Sequence, residues 1–294
     1  MEYDFSELPE EIQRLYLLKL PVNDIANYCV VNPSVHKICT DDYFWLLKVD
    51  HDFHVYEYKP KDITYQQQFL DLLQIKNPNE AAKEGRMDIL LYLNSQGKLP
   101  DKHGVQEAAE YGHLDVLKWL KTKGIYHAGY VIRGASKGGH INILEWLGPD
   151  GIQDYASGAS TAASRGHIDV LEWFEARGIL PDYNGANWAA VHGHINVIEW
   201  LAQRGINPSA AAAAAAVGGH IDVLEWLEQR GINATQEAAN MAAEYGKIQV
   251  LEWLEQRGIN ATQKAANMAA AYGAAYGDMQ VLEWLAARRI FPNQ

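Results

Sequence analysis

One block of apolar and polar positions recurs along most of this chain, and its fullest form is Gly219-His220-Ile221-Asp222-Val223-Leu224-Glu225-Trp226-Leu227. Copies begin at Gly85, Gly112, Gly139, Gly166, Gly193, Gly219, Gly246 and Gly277, at intervals of 27, 27, 27, 27, 26, 27 and 31 residues. A period of that length predicts a stacked repeat array. Within each copy the Ile, Val, Leu, Trp and Leu positions fall on one broad face, which predicts an amphipathic helix. Upstream of the glycine lies a pair of small residues, as in Ala108-Ala109, Ala162-Ala163 and Ala242-Ala243. That pair predicts a shorter first helix that lies close to its neighbours. The glycine ends the first helix in a left-handed conformation, and a second one, at Gly178, Gly205, Gly231 and Gly258, ends the second helix with an isoleucine packed just beyond it.

The first fifty or so residues are punctuated differently. Leu8-Pro9-Glu10-Glu11-Ile12 starts a helix with Ile12, Leu15 and Leu18 on one face, and Leu20-Pro21 stops it. A second helix carries Ile25, Tyr28, Cys29 and Val31, Pro33 ends it, a third carries Val35 and Ile38, and Tyr43-Phe44-Trp45 closes the unit. Beyond a connection containing Pro60, Thr64 caps a helix whose Phe69, Leu72 and Leu73 are expected to pack on the first repeat. The organisation read from this is a head at 1–52, a connecting segment at 53–76 and an eight-repeat array at 77–294. In the last copy Ala270-Ala271-Tyr272-Gly273 is followed at once by Ala274-Ala275-Tyr276-Gly277. The extra turn either lengthens the first helix or bulges its loop.

The two Leu-Pro pairs, Asp24-Ile25, Cys29 and the late Phe44-Trp45 resemble an F-box. That resemblance implies docking onto the Skp-type adaptor of a cullin ubiquitin ligase through Leu8, Pro9, Ile12, Leu20, Pro21, Ile25 and Trp45. The repeat resembles the ankyrin repeat in its Ala-Ala-x-x-Gly-His-Ile-Asp-Val core and closing glycine. It lacks the Thr-Pro-Leu-His signature and is shorter than the usual 33 or so residues, and the missing length falls where ankyrins build a hairpin. The expected fold is therefore all-α: a three-helix F-box-like head and an ankyrin-like solenoid of eight helix pairs lacking most of the β-hairpins. Together these features resemble ankyrin-repeat F-box proteins of large DNA viruses of amoebae.

Composition narrows the picture. A net charge of −12 argues against a broad phosphate-binding surface, so no nucleic acid is expected as a partner. No stretch is long and apolar enough for a membrane helix and no signal pattern opens the chain, so no membrane is expected and the location read is cytoplasmic, a host cytoplasm if the protein is viral. With Cys29 and Cys39 the only cysteines, neither a disulfide framework nor a metal knuckle is expected, which fits a reducing compartment.

The tryptophans at 119, 146, 173, 200, 226, 253 and 284 recur once per repeat and read as a packing ladder. His113, His140, His167, His194 and His220 recur too, but helices about 8–10 Å apart cannot share one ion, so they read as loop and capping residues and no metal is assigned. Glu145, Glu172, Glu199, Glu225, Glu252 and Glu283 read as a solvated outer row. Binding is sought where the copies differ, on the outward face of the first helices. There Tyr130, Arg133, Lys137, Tyr155, Tyr183, Asn187 and Trp188 form the expected target-binding patch, which goes blank at Ala210, Ala213 and Ala214. No nucleophile elbow, phosphate loop or zinc-protease signature is present, so neither an enzyme nor a cofactor is expected. The function read is a protein-interaction adaptor, the substrate-recognition subunit of a Skp-cullin-F-box ligase. The alternative is a structural scaffold, such as a viral particle component, whose head only caps the array.

Overall fold

The structure, a computed structural model, describes residues 8–31, 33–148, 154–206, 210–276 and 279–292. Among them there are twenty-one α-helices and no strand. They form an all-helical repeat solenoid, with no hairpin among the described residues, and fall into two compact units, Met1–His127 and Ala128–Gln294.

The first unit opens with α1 (Glu10–Leu18), α2 (Val22–Val31), α3 (Pro33–Cys39) and α4 (Asp42–Phe53), so the head has four helices where the sequence predicts three. The fourth exists because Asp41 caps it, its side chain accepting the Tyr43 amide at 3.0 Å. The core of the head is Leu17, Ile25, Val35, Ile38, Phe44, Trp45 and Val49. Lys48 is buried among these helices and donates to the carbonyls of Leu18 and Leu20 at 2.7 and 3.0 Å, while its charge meets Asp52 at 2.9 Å. That fastens the α1–α2 turn to α4. Contrary to the expected absence of a disulfide, Cys29 and Cys39 are bonded, with Cα atoms 6.1 Å apart. The fold brings the end of α3 beside α2, a juxtaposition that counting cysteines does not reveal.

Thr64 caps α5 (Tyr65–Gln74) as expected, accepting from the Gln67 amide at 3.1 Å, with Phe69 and Leu72 buried and Leu73 left exposed. Two repeats follow, α6 (Pro78–Lys83) with α7 (Met87–Ser95) and α8 (Lys102–Glu110) with α9 (Leu114–Thr122). Arg86 stands where the next repeat has His113. Nearly buried, it grips Asp88 through two hydrogen bonds at 2.9 and 2.8 Å and also Asp71 of α5. A ring contact of 4.9 Å between Phe53 and Tyr92 adds to this join, so α4 and α5 cover the first repeat.

The second unit holds six helix pairs: α10 (Ala128–Gly138) with α11 (Ile141–Leu147), α12 (Tyr155–Arg165) with α13 (Ile168–Glu175), α14 (Tyr183–Val191) with α15 (Ile195–Ala202), α16 (Ala211–Gly218) with α17 (Ile221–Glu228), α18 (Gln236–Glu244) with α19 (Ile248–Glu255), and α20 (Gln263–Tyr276) with α21 (Gln280–Ala287). The tightest packing runs along the row of first helices, α10 to α12 to α14 to α16 to α18 to α20. The alanine pairs make this possible: Ala162, Ala163, Ala189, Ala190, Ala215 and Ala216 are wholly buried. The duplicated Ala-Ala-Tyr-Gly lengthens α20 to 14 residues. Gly277 lies outside the described residues.

The second helices stand farther apart and are bridged by long side chains. Trp173, Trp200, Trp226, Trp253 and Trp284 each carry the guanidinium of the arginine four residues on, 3.6–3.8 Å above the ring. Arg204, Arg257 and Arg288 then reach Glu175, Glu228 and Glu255 of the preceding repeat at 2.7–2.9 Å. Before Arg230 the matching position is Ala202, and that arginine takes Glu199 at 3.3 Å instead. The tryptophan ladder is thus an arginine ladder as well.

Each histidine begins its second helix without capping it by a side-chain hydrogen bond, which corrects the expected capping role. The ring reaches back to the preceding repeat instead. His113 and His167 bond through Nε2 to the carbonyls of Lys83 and Lys137 at 2.9 and 3.0 Å. The ring packs against the glycine that leads into the preceding repeat's second helix. At Gly166, where φ is +81°, an added Cβ would meet His194 at 2.9 Å. These glycines therefore satisfy both a left-handed φ and the close approach of the next repeat.

Candidate binding surface

Small buried residues turn the other positions of each first helix outward, and in the second unit this exposed row differs from repeat to repeat. On α14 Trp188 is 55% exposed and Tyr183 62%, although most tryptophans of the repeats are largely covered. Trp188 is held by its own turn: its carbonyl accepts from His192 Nδ1 at 2.8 Å, and the two ring centroids are 6.0 Å apart.

Two grooves flank this indole. One, of about 540 Å³, runs between α12 and α14 and is lined by Ser157, Ser160, Thr161, Leu180, Asp182 and Trp188. Asp182 is the anchor of its polar side. It caps α14 by accepting the Gly185 amide at 3.0 Å, and also accepts Ser160 Oγ and Asn184 Nδ2 at 3.0 Å. Partial burial pushes its pKa up, but these hydrogen bonds outweigh that and hold it below the usual aspartate value, so it stays ionised.

The second groove, of about 310 Å³, lies over α16 and is bounded by Trp188 and Val191 on one side and Met241 and Tyr245 on the other. Its floor is Ala210, Ala213 and Ala214. The row read from sequence as going blank there is a trough, because short side chains on one helix lie between tall ones on its neighbours. Asn187 lines it, and among the described residues its Oδ1 is buried with no hydrogen-bond donor.

The expected target-binding set separates on the structure. Asn187 and Trp188 form the wall between the grooves, and Tyr183 stands exposed at the start of the same helix. Arg133 is exposed on α10, with Tyr130 and Lys137 half-buried there. Tyr155 is no surface residue: it is 2% exposed, its hydroxyl donates to the Gly148 carbonyl, and its ring meets Trp173 and Phe174 edge-on at 5.8 and 5.6 Å. As the first residue of α12 it faces the second helix of its own repeat. Asp182, Met241 and Tyr245 were missed, and only Asp182 left a signal, as an Asp directly before a helical run.

The expected adaptor set divides in the same way. Pro9, Ile12 and Pro21 are exposed and Leu8 and Leu20 half-buried, whereas Ile25 (0%) and Trp45 (3%) belong to the head's core. Trp45 donates its indole N–H to the Cys39 carbonyl at 2.8 Å. The apolar side of α1 faces outward, with Ile12, Leu15 and Tyr16 about half exposed, while Gln13 and Leu17 face in. On α2, Val30 is 85% exposed. The head therefore keeps an uncovered apolar surface on α1.

No family model matches the chain, and no curated protein matches it. Among solved structures it is similar to the crystal structure of the pentatricopeptide repeat protein PPR10 from maize, at 14% identity and a TM-score of 0.35, over 96% of this chain and 52% of that one. The chain thus spans about half the length of that protein. The expected exclusion of nucleic acid is withdrawn, because a net charge of −12 over the whole chain does not describe the potential at one face.

Proposed function

We propose that this protein is a non-enzymatic recognition subunit whose repeats hold a target protein on the outward face of α12, α14, α16 and α18, and whose head recruits a partner through the apolar side of α1. The observation that carries the reading is Trp188, a large aromatic side chain 55% exposed between two grooves. Exposed indoles with adjoining pockets are the usual anchors of protein interfaces. For the head, the F-box resemblance names the partner as the Skp-type adaptor of a cullin ubiquitin ligase, and the uncovered Ile12, Leu15 and Tyr16 supply the surface. The ankyrin-like reading of the repeats belongs to the same proposal.

The head reading is tested by co-expressing the full chain with a Skp-type adaptor and looking for a complex by gel filtration. Wild type is expected to form it, and Ile12→Asp with Leu15→Asp to lose it while keeping the same circular dichroism spectrum, since both side chains are exposed. A wild type that forms no complex turns the reading to capping alone. The observation that favours this second reading is the cover that α5, Phe53 and the Asp71–Arg86 pair give the first repeat. In it the protein is a structural repeat scaffold.

A further inference from the structure

Trp173, Trp200, Trp226, Trp253 and Trp284 share one arrangement, an indole with an arginine on its face, and for Trp200, Trp253 and Trp284 the arginine is tied to a carboxylate two residues beyond the preceding ladder tryptophan. On the opposite row Trp188 has an exposed ring and an ionised carboxylate, Asp182, lining the same groove, and, among the described residues, no arginine on its face. Two of the three parts are in place. We propose that Trp188 and Asp182 receive an arginine side chain from a partner protein segment, and that a large apolar side chain next to that arginine seats in the alanine-floored trough over α16. This rests on the reading that the repeats hold a protein, and gives that protein its chemistry.

Charge selects the same occupant. The charged groups of α12, α14, α16, α18 and the cap of α14 are Arg165, Asp182, Glu237 and Glu244, and Arg165, at the end of α12, is not among the residues that line the groove. Glu237 is partly satisfied by Lys264 at 3.1 Å, whereas the hydrogen bonds to Asp182 come from neutral donors and leave its charge uncompensated. A carboxylate accepts about four hydrogen bonds, and Asp182 Oδ2 takes one side-chain donor, from Asn184. A guanidinium seated in that groove has both a carboxylate acceptor and an aromatic face along its walls, a pairing that arginine's flat fork suits better than lysine's ammonium.

The test selects displayed random short peptides on the immobilised full chain, then titrates the best one, as a synthetic peptide, against variants by calorimetry. Enrichment of an arginine within a few residues of a large apolar residue is expected. Trp188→Ala should weaken binding by about tenfold or more and Asp182→Asn, which keeps the capping acceptor, by about fivefold, in line with a partly desolvated cation–π contact and ion pair. Replacing the peptide's arginine by neutral citrulline should weaken binding to wild type about as much and add little to Asp182→Asn. Peptides that depend on Trp188 but carry no arginine, or ignore the citrulline exchange, overturn this inference and leave protein binding standing. Failure to select any peptide that depends on Trp188, or capture of a single-stranded RNA homopolymer by that residue instead, overturns both.

Discussion

Gly166 and Gly178 have nearly the same backbone, with φ of +81° and +75°, and different surroundings. An added Cβ at Gly178 meets nothing within 4 Å, whereas at Gly166 it meets the His194 ring at 2.9 Å. Gly178→Ala is expected to cost only the left-handed strain, about 1–2 kcal/mol. Gly166→Ala should cost clearly more, because the next repeat must shift as well. Urea midpoints of the two variants check this. His194 gives a second outcome at this scale. Burial, with His192, His167 and His220 nearby, lowers its pKa below the ordinary histidine value, against a hydrogen bond to the Ser164 backbone. The unfolded chain takes up that proton first. Stability from His194 is therefore complete above about pH 6.5 and is lost as the pH falls from there toward the lower folded value. A Tm that drops on acidification through this range, with a shallower drop in His194→Gln, is the expected result.

Among elements, the first helices touch directly and the second helices touch through side chains. This ranks the bridging residues. Arg204→Ala removes both the cover on Trp200 and the pair with Glu175, whereas Glu175→Gln removes only the charge. The first should lower Tm more than the second, and added salt should weaken only the contribution of the pair. In the head, burial separates structure from surface within one motif. Ile25→Ala empties a wholly buried site and is expected to cost about 2–5 kcal/mol, while Ile12→Asp on exposed α1 stays within about 0.5 kcal/mol. Denaturant titration of the full chain reads both. The apolar spacing of Ile12, Leu15 and Leu18 showed that α1 is amphipathic, but not that Gln13 and Leu17 would face the core.

Over the whole molecule, stability should follow from each repeat and its neighbours, because every pair of helices buries its apolar side only against the next. Leu201 of α15 and Leu285 of α21 are equivalent and both wholly buried, and each truncation to Ala is expected to cost about 2–5 kcal/mol. They should differ in reach. Leu201→Ala speeds hydrogen exchange in the helices on both sides of its repeat, whereas the effect of Leu285→Ala stays near α20 and α21. Equal spread from both positions would show that the second unit unfolds as a single block.

Period, alanine pairs, closing glycines and apolar faces determined the helix pairs and their count, since these are set by contacts a few residues apart and repeated down the chain. The outward row was legible for the same reason: positions that do not stack are free to differ. What only the tertiary structure decided is how neighbours fall against one another. It made a trough of an alanine run, because Trp188 and Tyr245 rise on either side. It turned the histidines into contacts between repeats, covered Tyr155, Ile25 and Trp45, joined Cys29 to Cys39 and left Trp188 in the open. Each depends on what lies one repeat or one helix away, and a residue's type and local spacing do not encode the height of its neighbours.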